Sequence, residues 1–225
     1  MNPRLLPALA AVAACATASH AIAENHQAID DFSSGHYQSK WIESGSENSS
    51  QTGSMIGGSR HTTLTLCTGA ACRTANEFKQ GASYGYVADR AHSGANAFVQ
   101  SAGFDSFPRI DQGYGPMNQD LSAFDRVRVN FVGLSAPLNF NILMFTGAGR
   151  GQNGCNVGAL NRPFSVEFPY AGFVPANGGF VPGDITDISL VYQSASAIGS
   201  VEFGISSIEV SDTAAPGAIV CSLVQ

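Results

Sequence analysis

Charge is in short supply in this chain: Asp, Glu, Lys and Arg make up 12% of its 225 residues, about half the usual share of roughly 25%. So thin a supply does not support coiled coils or large helical bundles, whose outer faces need it. The balance is acidic, at −6, which leaves no footprint for nucleic acid or anionic lipid. No apolar run reaches the ~20 residues of a bilayer-spanning helix. The motifs of common hydrolytic chemistry are missing too. There is no G-x-S-x-G elbow, and His26, His36, His61 and His92 lack the HExxH spacing that sets two imidazoles on one helical face. Gly147-Ala148-Gly149-Arg150-Gly151 superficially resembles a phosphate loop, but no helical pattern follows it. It reads as a flexible loop.

What is present begins with an address. One positive charge at Arg4, an apolar run from Leu5 to Ala18 and Ala21-Ile22-Ala23 read as a secretory signal over residues 1–23, cut after Ala23. Val12-Ala13-Ala14-Cys15 offers a competing lipoprotein cleavage, which would acylate Cys15 and tether the domain to the outer membrane. The expected location is secreted or periplasmic, with the lipid anchor as the alternative. Either cut leaves Cys67, Cys72, Cys155 and Cys221, an even set in an exported protein that suggests two disulfides from three possible pairings. A local staple from Cys67 to Cys72 would leave Cys155 with Cys221, tying down the tail. A four-cysteine zinc site is disfavoured, because Cys155 and Cys221 form no second knuckle.

The mature chain runs with a period of two. Val127, Val129 and Phe131 alternate with Arg126, Arg128 and Asn130. Leu138, Phe140, Ile142 and Met144 alternate with Asn139 and Asn141 at first, and Phe164, Val166 and Phe168 flank Ser165 and Glu167. Phe203, Ile205, Ile208 and Val210 continue the pattern near the end, and Tyr192 follows Ile188 and Leu190 as a core residue. Each run fits a strand with one buried face and one wet face. Gly- and Pro-rich turns separate the runs at 53–58, 113–116, 133–137 and 147–158. Helix is expected only as single turns, at Ala75 to Lys79 and at Leu121 to Phe124. Short strands without intervening helices predict an all-β, antiparallel β-sandwich. One domain is expected over residues 24–212, with 213–225 as a tail tethered by Cys221.

The punctuation carries a resemblance. Ile29-Asp30-Asp31-Phe32 opens the domain, and Gly53-Ser54-Met55-Ile56-Gly57-Gly58-Ser59-Arg60 precedes the first clear strand. Asp120-Leu121-Ser122-Ala123-Phe124-Asp125 and Asp184-Ile185-Thr186-Asp187-Ile188 lead into others, and Phe203 to Val210 closes the domain. This order resembles the galactose-binding-like jelly rolls that include many carbohydrate-binding modules and the complex I intermediate-associated proteins. It also resembles exported bacterial proteins with an early Met-Ile/Leu-Gly-Gly-x-Arg element. The resemblance implies a jelly roll and a structural calcium between first and last strands, for which Asp30, Asp31, Glu209 and Asp212 are the matching carboxylates.

Chemistry is then weighed residue by residue. Flat aromatic faces stack on sugars while amides and guanidinium groups bond their hydroxyls. Trp41, Tyr84, Tyr86, Tyr114, Arg128, Asn139 and Asn141 form the candidate ligand set. Glu167 and Glu202 on strand faces form the one candidate acid–base pair. The expected role is a non-catalytic, exported module binding glycan or another envelope component. A structural or assembly protein of the envelope or extracellular matrix is the alternative, and a polysaccharide-active enzyme the third reading.

Overall fold

The described residues form fifteen strands. The computed structural model describes residues 24–35, 37–38, 46–65, 73–78, 84–89, 109–114, 117–194 and 201–222. For 38, 46, 64–65, 73–78, 84–89, 109–112, 193–194 and 201–202 it describes the backbone only. In chain order the first strands are β1 (His26–Asp30), β2 (Tyr37–Gln38), β3 (Ser46–Thr52), β4 (Ser59–Thr65) and β5 (Arg73–Phe78). Then come β6 (Tyr84–Asp89), β7 (Arg109–Tyr114), β8 (Arg126–Leu134), β9 (Leu138–Thr146) and β10 (Gly149–Val157). The last are β11 (Phe164–Pro169), β12 (Val174–Ala176), β13 (Ile185–Ser194), β14 (Val201–Ser211) and β15 (Ile219–Val220).

They form two layers of a jelly-roll sandwich. One sheet has eight strands in the order β15-β11-β8-β14-β6-β5-β2, with β1 also paired to β14; the other has seven, β12-β10-β9-β13-β7-β4-β3. All pairings are antiparallel except β11 with β15. The apolar half of each alternating run faces inward, as the period predicts. Val127, Val129 and Phe131 of β8 meet Leu138, Phe140, Ile142 and Met144 of β9, all at most 2% exposed. Phe140 is the hinge pin of this core. It lies edge-on to Phe168 (centroids 5.0 Å) and Phe131 (5.9 Å) and stacks on Tyr192 at 4.8 Å. Burying each such side chain stabilises by about 1.5–3 kcal/mol. Tyr192 is core, as expected.

Two expectations fail locally. Ala75–Phe78 is not a helical turn but part of strand β5, paired with β6. Residues 149–157 are not a flexible loop but β10, paired along its whole length with β9. Its glycines misled because they serve close packing rather than flexibility: a Cβ at Gly151 would lie 2.7 Å from the Phe180 ring. Leu121–Phe124 is a turn, closed by the Phe124 amide donating to the Leu121 carbonyl at 3.1 Å.

Cys155 on β10 and Cys221 beyond β15 form a disulfide across a sequence separation of 66. Cys15, Cys67 and Cys72 lie outside the described residues. No helix among the described residues is long and apolar enough to cross a membrane.

Candidate functional site

Three polar constellations stand out, one between the sheets and one on each outer face. The first is built by the Gly-Gly element. Gly57 and Gly58 adopt φ of 70° and 74°, and the Gly58 amide donates to the Met55 carbonyl at 2.9 Å. Glycine tolerates this left-handed backbone, and the turn delivers Arg60 to the inner side of β4, wholly buried. Arg60 pairs there with Asp30, donates from Nε to Gln51 (3.2 Å) and from Nη2 to the Gly35 carbonyl (2.7 Å), and lies 5.4 Å from the Phe32 ring centroid. Tyr114 donates its hydroxyl to Asp30 Oδ2 at 2.9 Å, and the Phe32 amide donates to Oδ1 at 2.8 Å. Burial pushes the Tyr114 hydroxyl well above its ordinary range, with the Asp30 charge adding to it.

This corrects two assignments. Tyr114 has no face open to a sugar; it is a core residue whose hydroxyl helps hold a buried carboxylate. Asp30 does not fit a calcium site with Glu209. The register sets Asp30 opposite Ile208, on the inner side, whereas Glu209 stands opposite Ala28 on the outer side. Asp31 is exposed and accepts from the Ser33 amide and hydroxyl, and Asp212 accepts from the Asn25 amide at 3.1 Å. The four carboxylates therefore do not converge on the six to eight oxygens that calcium takes. Among the described residues, no cluster of three or more His, Cys, Asp or Glu is arranged to hold a metal.

The second constellation covers the outer face of the eight-stranded sheet. Glu167 of β11, Arg128 of β8 and Glu209 of β14 are direct cross-strand neighbours, an arrangement of alternating charge that stabilises a sheet face. Arg128 donates from Nε to Glu167 Oε1 (2.9 Å) and from Nη1 to Glu209 Oε1 (3.1 Å), and it also pairs with Glu24. Arg126 donates to Glu167 Oε2 at 2.8 Å, and the Ala215 amide donates to Oε1 at 2.7 Å. The hydrogen bond from Arg128 holds the Glu24 carboxyl below its usual range. The segments at Glu24 and at Thr213–Ala215 thus strap this face, leaving Glu167 with no exposed surface. Arg128, placed in the ligand set by its alternation, is instead a structural cation only 5% exposed. Glu167 is locked between two arginines, and the side chain of its suggested partner Glu202 lies outside the described atoms.

The third constellation is the outer face of the seven-stranded sheet, where Asn139 and Asn141 do stand together. Asn141 donates to Asn139 Oδ1 at 2.6 Å, and Asn139 donates to Asn156 Oδ1 at 3.1 Å. Ladder register extends this group into rows. Gln152, Leu143, Ser189, Gly113, His61 and Ser50 stand side by side across β10, β9, β13, β7, β4 and β3. Five interstrand gaps make that row about 24 Å wide. The next row sets Arg150, Phe145 and Asp187 abreast. His61 Nδ1 lies 2.8 Å from the Ser50 hydroxyl. Burial raises the Asp187 carboxyl to about 6, against the lowering effect of His61 and two backbone amides, and its Oδ1 has no hydrogen-bond partner.

Most of this face escaped the alternation because Leu143-Met144-Phe145 is continuously apolar. Its two outward members, Leu143 and Phe145, are half-buried beside the amides. The break in period was the available signal, since outward apolar residues on a strand need a reason. Of the aromatic candidates, Trp41 lies outside the described residues, and Tyr84 and Tyr86 are described only as backbone, paired with Ile205 and Phe203.

No protein-family model and no curated protein matches the chain. Among solved structures it is similar to the family 11 carbohydrate-binding module of the cellulosomal cellulase Lic26A-Cel5E of Clostridium thermocellum, at 14% identity and a TM-score of 0.40, over 83% of this chain and 94% of that one. It is also similar to an agarase, AgWH50C, at 11% identity and a TM-score of 0.42, over 68% of this chain but 23% of the agarase. A carbohydrate-binding module described by its mannan recognition, TmCBM27, matches at 9% identity and a TM-score of 0.30, over 84% of this chain and 99% of the module.

Proposed function

We propose that the protein is an exported glycan-binding module without catalytic action, and that it holds a polysaccharide chain along the outer face of its seven-stranded sheet. The observation that carries this reading is the mixed row across six strands. In that row the amide and hydroxyl groups of Gln152 and Ser189 flank the apolar surface of Leu143, Ser50 stands at its far end, and the adjoining rows add Asn141 on one side and Phe145 on the other. A pyranose chain offers the same alternation, with equatorial hydroxyls at its rim and C–H faces between them, and such sites rely on a few placed polar groups beside apolar contact. On the opposite sheet the charged groups Arg126, Arg128, Glu167 and Glu209 are committed to one another and to the straps. The disulfide suits an oxidising compartment, in keeping with the signal-like N-terminus.

The test is a glycan array with the processed protein, followed by calorimetry on the best ligand. Asn141→Ala combined with Gln152→Ala is expected to weaken binding by about tenfold or more, the loss of one or two hydrogen bonds, with the melting temperature within about 2 °C of the parent. Absence of binding to any polysaccharide, or full affinity in the double variant, would overturn the assignment.

A further inference from the structure

A cleft of about 510 Å³ opens on the other side of the molecule, where β15 stops covering β11. β15 pairs only with Val166 and Glu167, so no described strand pairs with the outer edge of β11 at Phe164 and Ser165. The 160–163 turn walls the gap on one side and the 215–218 turn on the other, the latter closed by the Ala218 amide donating to the Ala215 carbonyl at 3.2 Å. Its floor is Asn130 of β8, Ser165 of β11 and Ser206 of β14.

Two features separate this cleft from an incidental gap. β14 is bulged here: Ile205 stands opposite Phe131 and Ser207 opposite Asn130, leaving Ser206 unpaired and exposed. Bulges of this kind re-aim a side chain and recur beside binding sites. The floor is also ordered from within. Ser165 donates to Asn130 Oδ1 at 2.7 Å, Asn130 donates to Ser207 Oγ at 2.9 Å, and Ser206 donates to the Asn130 carbonyl at 3.1 Å. Both serine hydroxyls keep free acceptor lone pairs. At the rim stands Arg162, exposed and without an ion pair among the described residues, whereas Arg60, Arg126 and Arg128 are all engaged with carboxylates.

We infer that this cleft is a second binding site, separate from the seven-stranded face, and that it takes an acidic monosaccharide unit such as a uronate. The volume is that of a small-molecule site. The planar guanidinium of Arg162 matches a carboxylate in two-point geometry. The serine hydroxyls and the uncovered edge of β11 meet sugar hydroxyls, and Phe164, Ile219 and Pro216 offer apolar surface to C–H groups. One cation among neutral hydrogen-bonding groups selects a ligand with a single negative charge rather than a multiply charged polyanion.

The experiment uses the processed protein with three probes by NMR titration: glucuronate oligomers, neutral glucose oligomers of equal length, and inorganic phosphate. Glucuronate oligomers are expected to shift amides of residues 160–165 and 206, while neutral oligomers do not. Arg162→Gln should weaken glucuronate binding by about tenfold and leave the glycan affinity of the seven-stranded face unchanged. Asn141→Ala should do the reverse, so each site fails or stands alone. Ser206→Ala, at an exposed bulge, supplies a variant with little folding cost and a smaller loss. Failure of glucuronate to bind, equal binding of phosphate, or glucuronate binding that survives Arg162→Gln would overturn the assignment.

Discussion

The two outer faces of this sandwich use the same strand geometry to opposite ends. On the eight-stranded sheet, Arg126, Arg128, Glu167 and Glu209 form a closed charge lattice roofed by Glu24 and the 213–215 segment. On the seven-stranded sheet the outward groups are mostly neutral amides and hydroxyls, standing beside Leu143 and Phe145 with no comparable strap among the described residues. Charge holds the segments at Glu24 and 213–215 in place; neutral polarity remains available. The ion pairs between described residues fall at two places where the fold needs fixing. One is the strapped outer face and the other the Asp30–Arg60 pair between the sheets.

Removing one member of each group measures how differently they are built. Asp30→Asn leaves Arg60 charged and wholly buried, so chemical denaturation should show a loss of about 4 kcal/mol. An effect no larger than that of Glu167→Gln would break the distinction between interior and face. Replacing Cys155 and Cys221 together by Ser frees the strap from β10, with an expected loss of about 3 kcal/mol. That loss should come with faster amide exchange over residues 213–221 and little change on the seven-stranded face. Glu167→Gln should cost about 2 kcal/mol, because Arg128 keeps Glu24 and Glu209 while Arg126 keeps Asp125. Its penalty should respond weakly to salt, as expected for a buried carboxylate.

The smallest effect has the opposite sign. Burial raises Asp187 from 3.8 to about 6, so between those values the folded protein binds the proton more tightly than the unfolded chain. The stability this group contributes is complete below about pH 4 and is lost as pH rises through 6. Asp187→Asn should therefore stabilise at pH 7, by about 1 kcal/mol once its partial exposure is discounted, and be neutral near pH 4. Melting curves at the two pH values check this. A variant equally stabilised at both would show that Asp187 is not the titrating group.

The sandwich was legible where a strand has one wet and one dry face. β8 and β11 alternate cleanly, as do β9 up to Ile142 and β14 on either side of its bulge, and their inward members are the core. β10 was illegible because Gly151 and Gly154 answer to what presses on them, Phe180 and Asn141, which composition does not reveal. β3, running Ser46–Thr52, carries no apolar alternation at all and owes its place to pairing with β4. Asn139 and Asn141 could be placed on an outer face from periodicity. Arg128 was placed on an outer face by the same reasoning, but period assigns a side and says nothing of what other chain segments cover; Tyr114, chosen for its place beside a Gly-rich turn, is core. Glu24 and Thr213 close over Arg128 from positions 104 and 85 residues away.

The disulfide also decides where a mechanical load enters the molecule. Asn25 and Asp212 lie side by side at one end of the β1–β14 ladder, the Asp212 amide donating to the Asn25 carbonyl at 3.2 Å. Tension delivered through Asp212 would peel that ladder open pair by pair, its weakest direction. A pull applied beyond Cys221 passes instead through sulfur into β10, in the other layer. The strap and the unzipping end of β14 then bear none of it, so resistance to traction is expected to fall sharply on reduction even where the sandwich itself stays folded.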